Sequence, residues 1–180
     1  MVTHNFETLR RAVIAASVAN GWAQAVVEWQ VVGVEKDPSG SGVCVCGKTE
    51  LVYLYTIHNR DTGLELFPIG SSCVNLFEVE ELTVTVGVLR GLFELRAAFM
   101  AGKDVTLTVD FFSRATLADL WQSGAFPPNK YNRYNGDNDY KFLLDLFNQR
   151  HEFTEREERK VWVLLNRTIK TFVINDERLA

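Results

Sequence analysis

All three cysteines of the chain fall within VCVCGKTELVYLYTIHNRDTGLELFPIGSSCV, at Cys44, Cys46 and Cys73. Cysteine sulfur is a preferred ligand of Zn2+, and a structural zinc site takes four donors and leaves no open position. Cys44 and Cys46 enclose one residue and are followed by Gly47, which is free to adopt the backbone that a metal knuckle requires. Cys73 follows two apolar runs separated by a turn and precedes another apolar segment, so its sulfur can return to the knuckle. Knuckle, hairpin and a cysteine entering a helix is the chain order of a treble-clef site, and the expectation is a structural Zn2+. His58, at the end of the first apolar run, is the candidate fourth ligand. Asn75, Glu78 or a water are weaker oxygen donors, and Leu76 and Phe77 offer none. The same cysteines also fit a metal-free core, since unpaired cysteine packs as a small apolar residue. Catalytic zinc would need an open position and a general base, and no His-Glu helix motif accompanies the cysteines.

The runs EWQVVGVEKDPSGSGVCVCG and YLYTIHNRDTGLELFPIGSSCV resemble a group of uncharacterised bacterial and phage proteins. The shared pattern is CxCG, a hairpin ending in Asn-x-x-Thr-Gly, and Gly-Ser-x-Cys. FFSRATLADLW, GAFPPNKYN, DYKFLLDLFNQR and FTEREERKVW are similar to the same group, so the resemblance covers most of the chain. It implies a bacterial or phage cytosolic protein with a zinc site and brings no assigned activity.

Two further segments could meet a partner. FPPNKYNRY interleaves Phe126, Tyr131 and Tyr134 with Lys130 and Arg133, a mixture able to stack bases and neutralise phosphate. The same residue types anchor protein interfaces, or pin a plain surface loop. On a wheel for the last helix, Val161, Leu164, Leu165, Thr168 and Phe172 share one face. Arg156, Arg159, Lys160, Arg167 and Lys170 share the other, which reads as a phosphate-tracking stripe or as a solvated face diluted by Glu155, Glu157 and Glu158. Asp137, Asp139 and Asp145 have no spacing that fixes a magnesium site, and Asp137 or Asp139 suits a helix cap. His4 and His151 stand apart from any such cluster.

The elements that must position these residues follow from periodicity. Helical spacing runs from Phe6 to about Asn20, with a short helical stretch over 22–28. Trp29–Glu35 and Leu51–Ile57 read as strands. Leu64–Ile69 is a weaker strand because Pro68 cannot donate to a ladder, and HNRDTG makes the pair a hairpin. A helix is expected within Phe77–Gly102, with its best part at 87–100, then a strand at 105–111, a helix capped by Ser113 and ending at Ser123, and another over 140–149. Thr154 and Glu157 form a capping box for the last helix, to about Val173. The predicted fold is α+β: a small mixed sheet with the zinc hairpin over 43–77, packed on helices, within a domain of residues 1–112. A C-terminal helical region, 113–180, packs on it as one globular unit.

With 180 residues, 47% of them hydrophobic, the chain can bury a substantial core. A net charge of −4 argues against a general nucleic-acid coat, because such binding is driven by cationic excess. The first 100 residues carry 7 Lys and Arg against 11 Asp and Glu, and the remaining 80 carry 12 of each, so a basic surface must be local. The N-terminal apolar run does not read as a secretory signal, and an odd number of cysteines suits a reducing, cytoplasmic setting. No phosphate loop, nucleophile elbow or paired-carboxylate motif is present. The expected function is a non-enzymatic zinc-containing binding protein that recognises a host or phage protein, or nucleic acid, and no membrane. The alternative is a phage-type inhibitor of a host defence protein, resembling anti-CRISPR or anti-restriction factors, with a metal-dependent nucleic-acid enzyme behind both.

Overall fold

The computed structural model describes residues 4–149 and 152–179, so His151 lies outside the described residues. The fold is α+β, as expected. Strands β1 (Trp29–Lys36), β2 (Tyr53–Asn59) and β3 (Glu65–Ile69) form one sheet in that order. Both strand pairs are antiparallel, so the sheet is not the mixed one expected from the sequence; a parallel bridge between Val34 and Leu179 stands outside it. The chain forms two compact units, one reaching Arg90 and completed by the segment from Glu177, the other Gly91–Asp176. The division falls upstream of the 112/113 boundary read from the sequence.

In the sheet unit, β2 turns Tyr55, Ile57 and Asn59 inward by alternation. β1 buries Trp29 and Val31, then Val34; the change of parity coincides with a bulge between Val31 and Gly33. Helix α1 (His4–Ala15) buries Leu9 and Val13 and ends short of the expected Asn20. Helix α2 (Trp22–Ala25) runs into a 3-10 turn, Val26–Glu28. Phe6, Trp22 and Phe77 stack edge to face, with ring centroids 5.3 Å apart in each pair.

Helix α3 (Ser71–Asn75) follows β3, and α4 (Glu80–Met100) lies within the expected 77–102 stretch, taking in the turns ahead of Gly87. In the other unit, α5 (Arg114–Gln122) has Ser113 as its cap, the hydroxyl accepting from the Thr116 amide. Helix α6 (Asp137–Asn148) has Gly136, not Asp137 or Asp139, at its N-cap. The capping box of Thr154 and Glu157 opens α7 (Glu155–Val163), which continues through a π-helical stretch, Leu164–Ile169, into α8 (Lys170–Ile174). The π stretch slips the helical wheel by one residue. Val161, Leu164, Leu165, Ile169 and Val173 are buried, while Thr168 and Phe172 are only half-buried. The anticipated strand at 105–111 is irregular: Val105 exchanges both backbone hydrogen bonds, at 3.0 Å, with the Asn166 side chain instead of a neighbouring strand. Among the described residues no helix is long and apolar enough to cross a membrane.

One buried polar cluster ties the sheet unit together. The Glu28 carboxylate accepts from the Val18 and Ala19 amides and from Asn59 Nδ2, each at 2.8 Å. Asn59 Oδ1 accepts from the Asp61 and Thr62 amides inside the β2–β3 turn. The Asn59 hydrogen bond, helped by the two amides and opposed by burial, holds the Glu28 carboxyl below the ordinary glutamate value. Stability from such a group is complete above the ordinary glutamate pKa and is lost as pH falls through the lower folded-state value. Glu28→Gln is therefore expected to lower Tm at pH 7, with the gap to wild type narrowing as pH falls below the ordinary glutamate value; thermal melts at neutral and acid pH check it.

Candidate metal centre

The three cysteines come from two segments that the hairpin folds together. An isolated bridge between Gly42 and Leu51 closes the knuckle, with the Leu51 amide donating to the Gly42 carbonyl at 3.0 Å. A Cβ at Gly42 would lie 2.9 Å from the Leu51 carbonyl oxygen, so only glycine permits this closure. Within the knuckle the Cys44 amide donates to the Lys48 carbonyl, and Gly47, at φ 87°, donates to the Cys44 carbonyl. The knuckle docks on the far end of β3, where the Val45 amide donates to the Pro68 carbonyl at 2.9 Å. Gly70 donates to Cys44 Sγ at 3.4 Å, and its carbonyl accepts from the Cys73 amide, which sets Cys73 on the first turn of α3.

The result is a trio of buried, unbridged thiols. Cys73 Sγ lies 3.6 Å from Cys44 Sγ and 3.3 Å from Cys46 Sγ, and all three sulfurs lie within 4.8 Å of one another. A tetrahedral ion with bonds of about 2.3 Å to sulfur spaces its ligands roughly 3.8 Å apart, so the two Cys73 contacts fall short of that spacing by about half an ångström or less. Three buried cysteines this close could hold a metal ion. The hydrogen bond with Cys73 brings the Cys44 thiol down to about 5, against the effect of burial. The same contact, with burial, pushes Cys73 up.

Cys44 and Cys73 open onto a cleft of about 250 Å³, whose wall includes Lys48, Glu50, Tyr53, Ser71 and Ser72. The sequence reading missed this wall. Its signal was the knuckle's return segment, which the CxCG spacing brings back past the first cysteine. His58 is not brought to the sulfurs: it pairs with Glu65 at the turn end of the hairpin, Nδ1 3.5 Å from Oε1, whereas the sulfurs gather beyond Ile69 at the other end. Among the described residues the sulfur trio alone forms a metal-ligating group, and Asp137, Asp139 and Asp145 do not assemble one. Asp137 Oδ1 accepts from Trp121 Nε1, and Asp139 is buried against Asn132. His4 is exposed on α1.

The partner candidates separate into two groups. In the loop before α6, Tyr131 and Tyr134 are 81% and 75% exposed, and Lys130 lies over the Tyr131 ring. Arg133 and Tyr134 both adopt left-handed backbone at φ 57°. Buried Asn132 holds them there: it donates to the Pro127 carbonyl and to Asp139 Oδ2, and its own carbonyl accepts from Asn138. On the last helix the cations are mostly engaged. Lys160 Nζ sits 3.0 Å from Asp139 Oδ1 and over the Phe142 ring, Arg159 pairs with Glu155, Arg167 covers Trp162 and Lys170 covers Phe99. Arg156 is exposed.

No protein-family model, curated protein or solved structure matches the chain. Native mass spectrometry of the reduced protein is expected to give one bound divalent ion per chain, lost in Cys73→Ser; a metal-free wild type under zinc-replete conditions would leave the trio as core packing.

Proposed function

We propose that the chain is a non-enzymatic zinc-containing binding protein, of bacterial or phage origin, and that its partner is a protein. The convergence of three buried sulfurs from separate segments carries this reading. A thiolate-rich site favours zinc among the common divalent ions, and zinc brings no redox chemistry of its own. Bound there, it would staple the knuckle to β3 and α3, so its removal acts on the fold.

The recognition surface in this reading is the loop from Asn129 to Asn135, with Tyr131 and Tyr134 as anchors and Lys130 and Arg133 beside them. Tyrosine and arginine are enriched where protein interfaces concentrate their binding energy. The net charge of −4 and the engagement of Arg159, Lys160, Arg167 and Lys170 within their own unit favour a protein over a phosphate backbone.

Two measurements test the proposal. Chelation of the ion is expected to lower Tm sharply and restoration of zinc to recover it, whereas lost binding with an unchanged melt would point to a zinc that acts at the surface. The immobilised protein is expected to hold one specific protein at moderate salt, and the double variant Tyr131→Ala, Tyr134→Ala to release it with unaltered circular dichroism. Retention of a labelled single-stranded oligonucleotide that collapses with added salt, and of no protein, would overturn the choice of partner.

A further inference from the structure

We propose that Glu50 supplies the fourth ligand of the metal held by Cys44, Cys46 and Cys73; this deepens, and rests on, the reading of the sulfur trio as a zinc site. A structural zinc needs four donors. Within the described residues the trio contains only sulfur, so the fourth donor must arrive from outside it. The backbone closes one side: the Gly70 amide faces Cys44 Sγ and the knuckle lies against Pro68. The other side is the cleft onto which Cys44 and Cys73 open.

Among the residues lining that cleft, Glu50 carries the one carboxylate. Zinc takes carboxylate oxygen at about 2.0–2.2 Å, whereas a lysine ammonium has no lone pair to offer and a serine hydroxyl remains neutral. Glu50 sits at φ 63°, in the left-handed region, immediately before Leu51, whose amide closes the knuckle on Gly42. Its carboxylate is exposed and lies outside the 4.8 Å sulfur group, so ligation draws it inward by rotation of the side chain. Three thiolates and one Zn2+ sum to a single negative charge, which a carboxylate would double; Lys48, on the same wall, offsets the excess. The competing histidine is held off by the hairpin register that pairs His58 with Glu65.

Cobalt substitution with zinc competition decides the matter, because the ligand-field spectrum of Co2+ reports its donor set. Wild type and His58→Gln are expected to bind one Co2+ with the same spectrum. Glu50→Gln is expected to shift the ligand-field bands and weaken zinc binding by about tenfold or more. A Glu50→Gln protein that matches wild type in spectrum and affinity, or a spectral change in His58→Gln, overturns the assignment while leaving the zinc site standing. A wild type that binds no metal removes the zinc reading itself. Should the glutamine variant fail to fold, Glu50→Cys gives the second readout: sulfur-to-cobalt charge transfer is expected to rise in the ratio of four sulfurs to three, and unchanged intensity overturns the proposal.

Discussion

The antiparallel register of β2 and β3 decides which residues of the sheet unit can meet. Ile69 stands opposite Tyr55 and Glu65 opposite His58, so the two ends of the hairpin are separated by three residues of strand, roughly 10 Å. Burial of Tyr55, Ile57 and Ile69 pins that pairing, since each fully buried side chain contributes about 1.5–3 kcal/mol. A slip of one residue would turn Thr56 and His58 inward and carry Gly70 away from the Cys44 sulfur. The sulfur cluster is thus a consequence of strand pairing first and of cysteine spacing second.

Each end of the hairpin carries one of the sequence patterns, and each pattern has a local physical role. In NRDTG, Asn59 receives two amides of the turn and donates to Glu28, Thr62 Oγ1 donates to the Ala16 carbonyl, and Gly63 takes φ 73°. This end fixes the turn against α1 and the entry to β1. At the opposite end, CVCG folds on itself around Gly47 and lies on Pro68. The asparagine-to-glycine pattern therefore holds up structure, and the cluster able to hold a metal ion lies at the cysteine end.

Local signals were legible wherever a few neighbouring residues decide the outcome. Ser113, the Thr154 and Glu157 box, the β-branched run of β1 and the hairpin turn all act within four or five residues. The cysteine trio was legible too, because its chain order implies the fold that closes it. What was not legible depends on distant partners. The 105–111 segment has the composition of a strand, yet the backbone of its first residue, Val105, is met by Asn166, 61 residues away, and Thr108 and Phe111 bond within local turns. His58 lay close to the cysteines in sequence, but pairing with Glu65 sets it at the wrong end of the sheet. The buried face of the last helix was misplaced by one residue because nothing in LLNRTI announces a π turn.

The loop from Asn129 to Asn135 shows how a charge on the last helix can serve a surface elsewhere in the same unit. Two consecutive non-glycine residues in left-handed backbone, Arg133 and Tyr134, cost about 1 kcal/mol or more each and persist only where their surroundings dictate it. Asn132 is what dictates it, and Asn132 in turn needs the Asp139 carboxylate, whose side chain is 5% exposed. A carboxylate so deeply buried must be paired, and Lys160 at 3.0 Å is its counter-ion. Lys160 thereby leaves the basic stripe and joins the support of the loop. In the binding role proposed for it, a loop ordered in advance would lose less conformational entropy when its tyrosines were covered, improving binding without adding any contact.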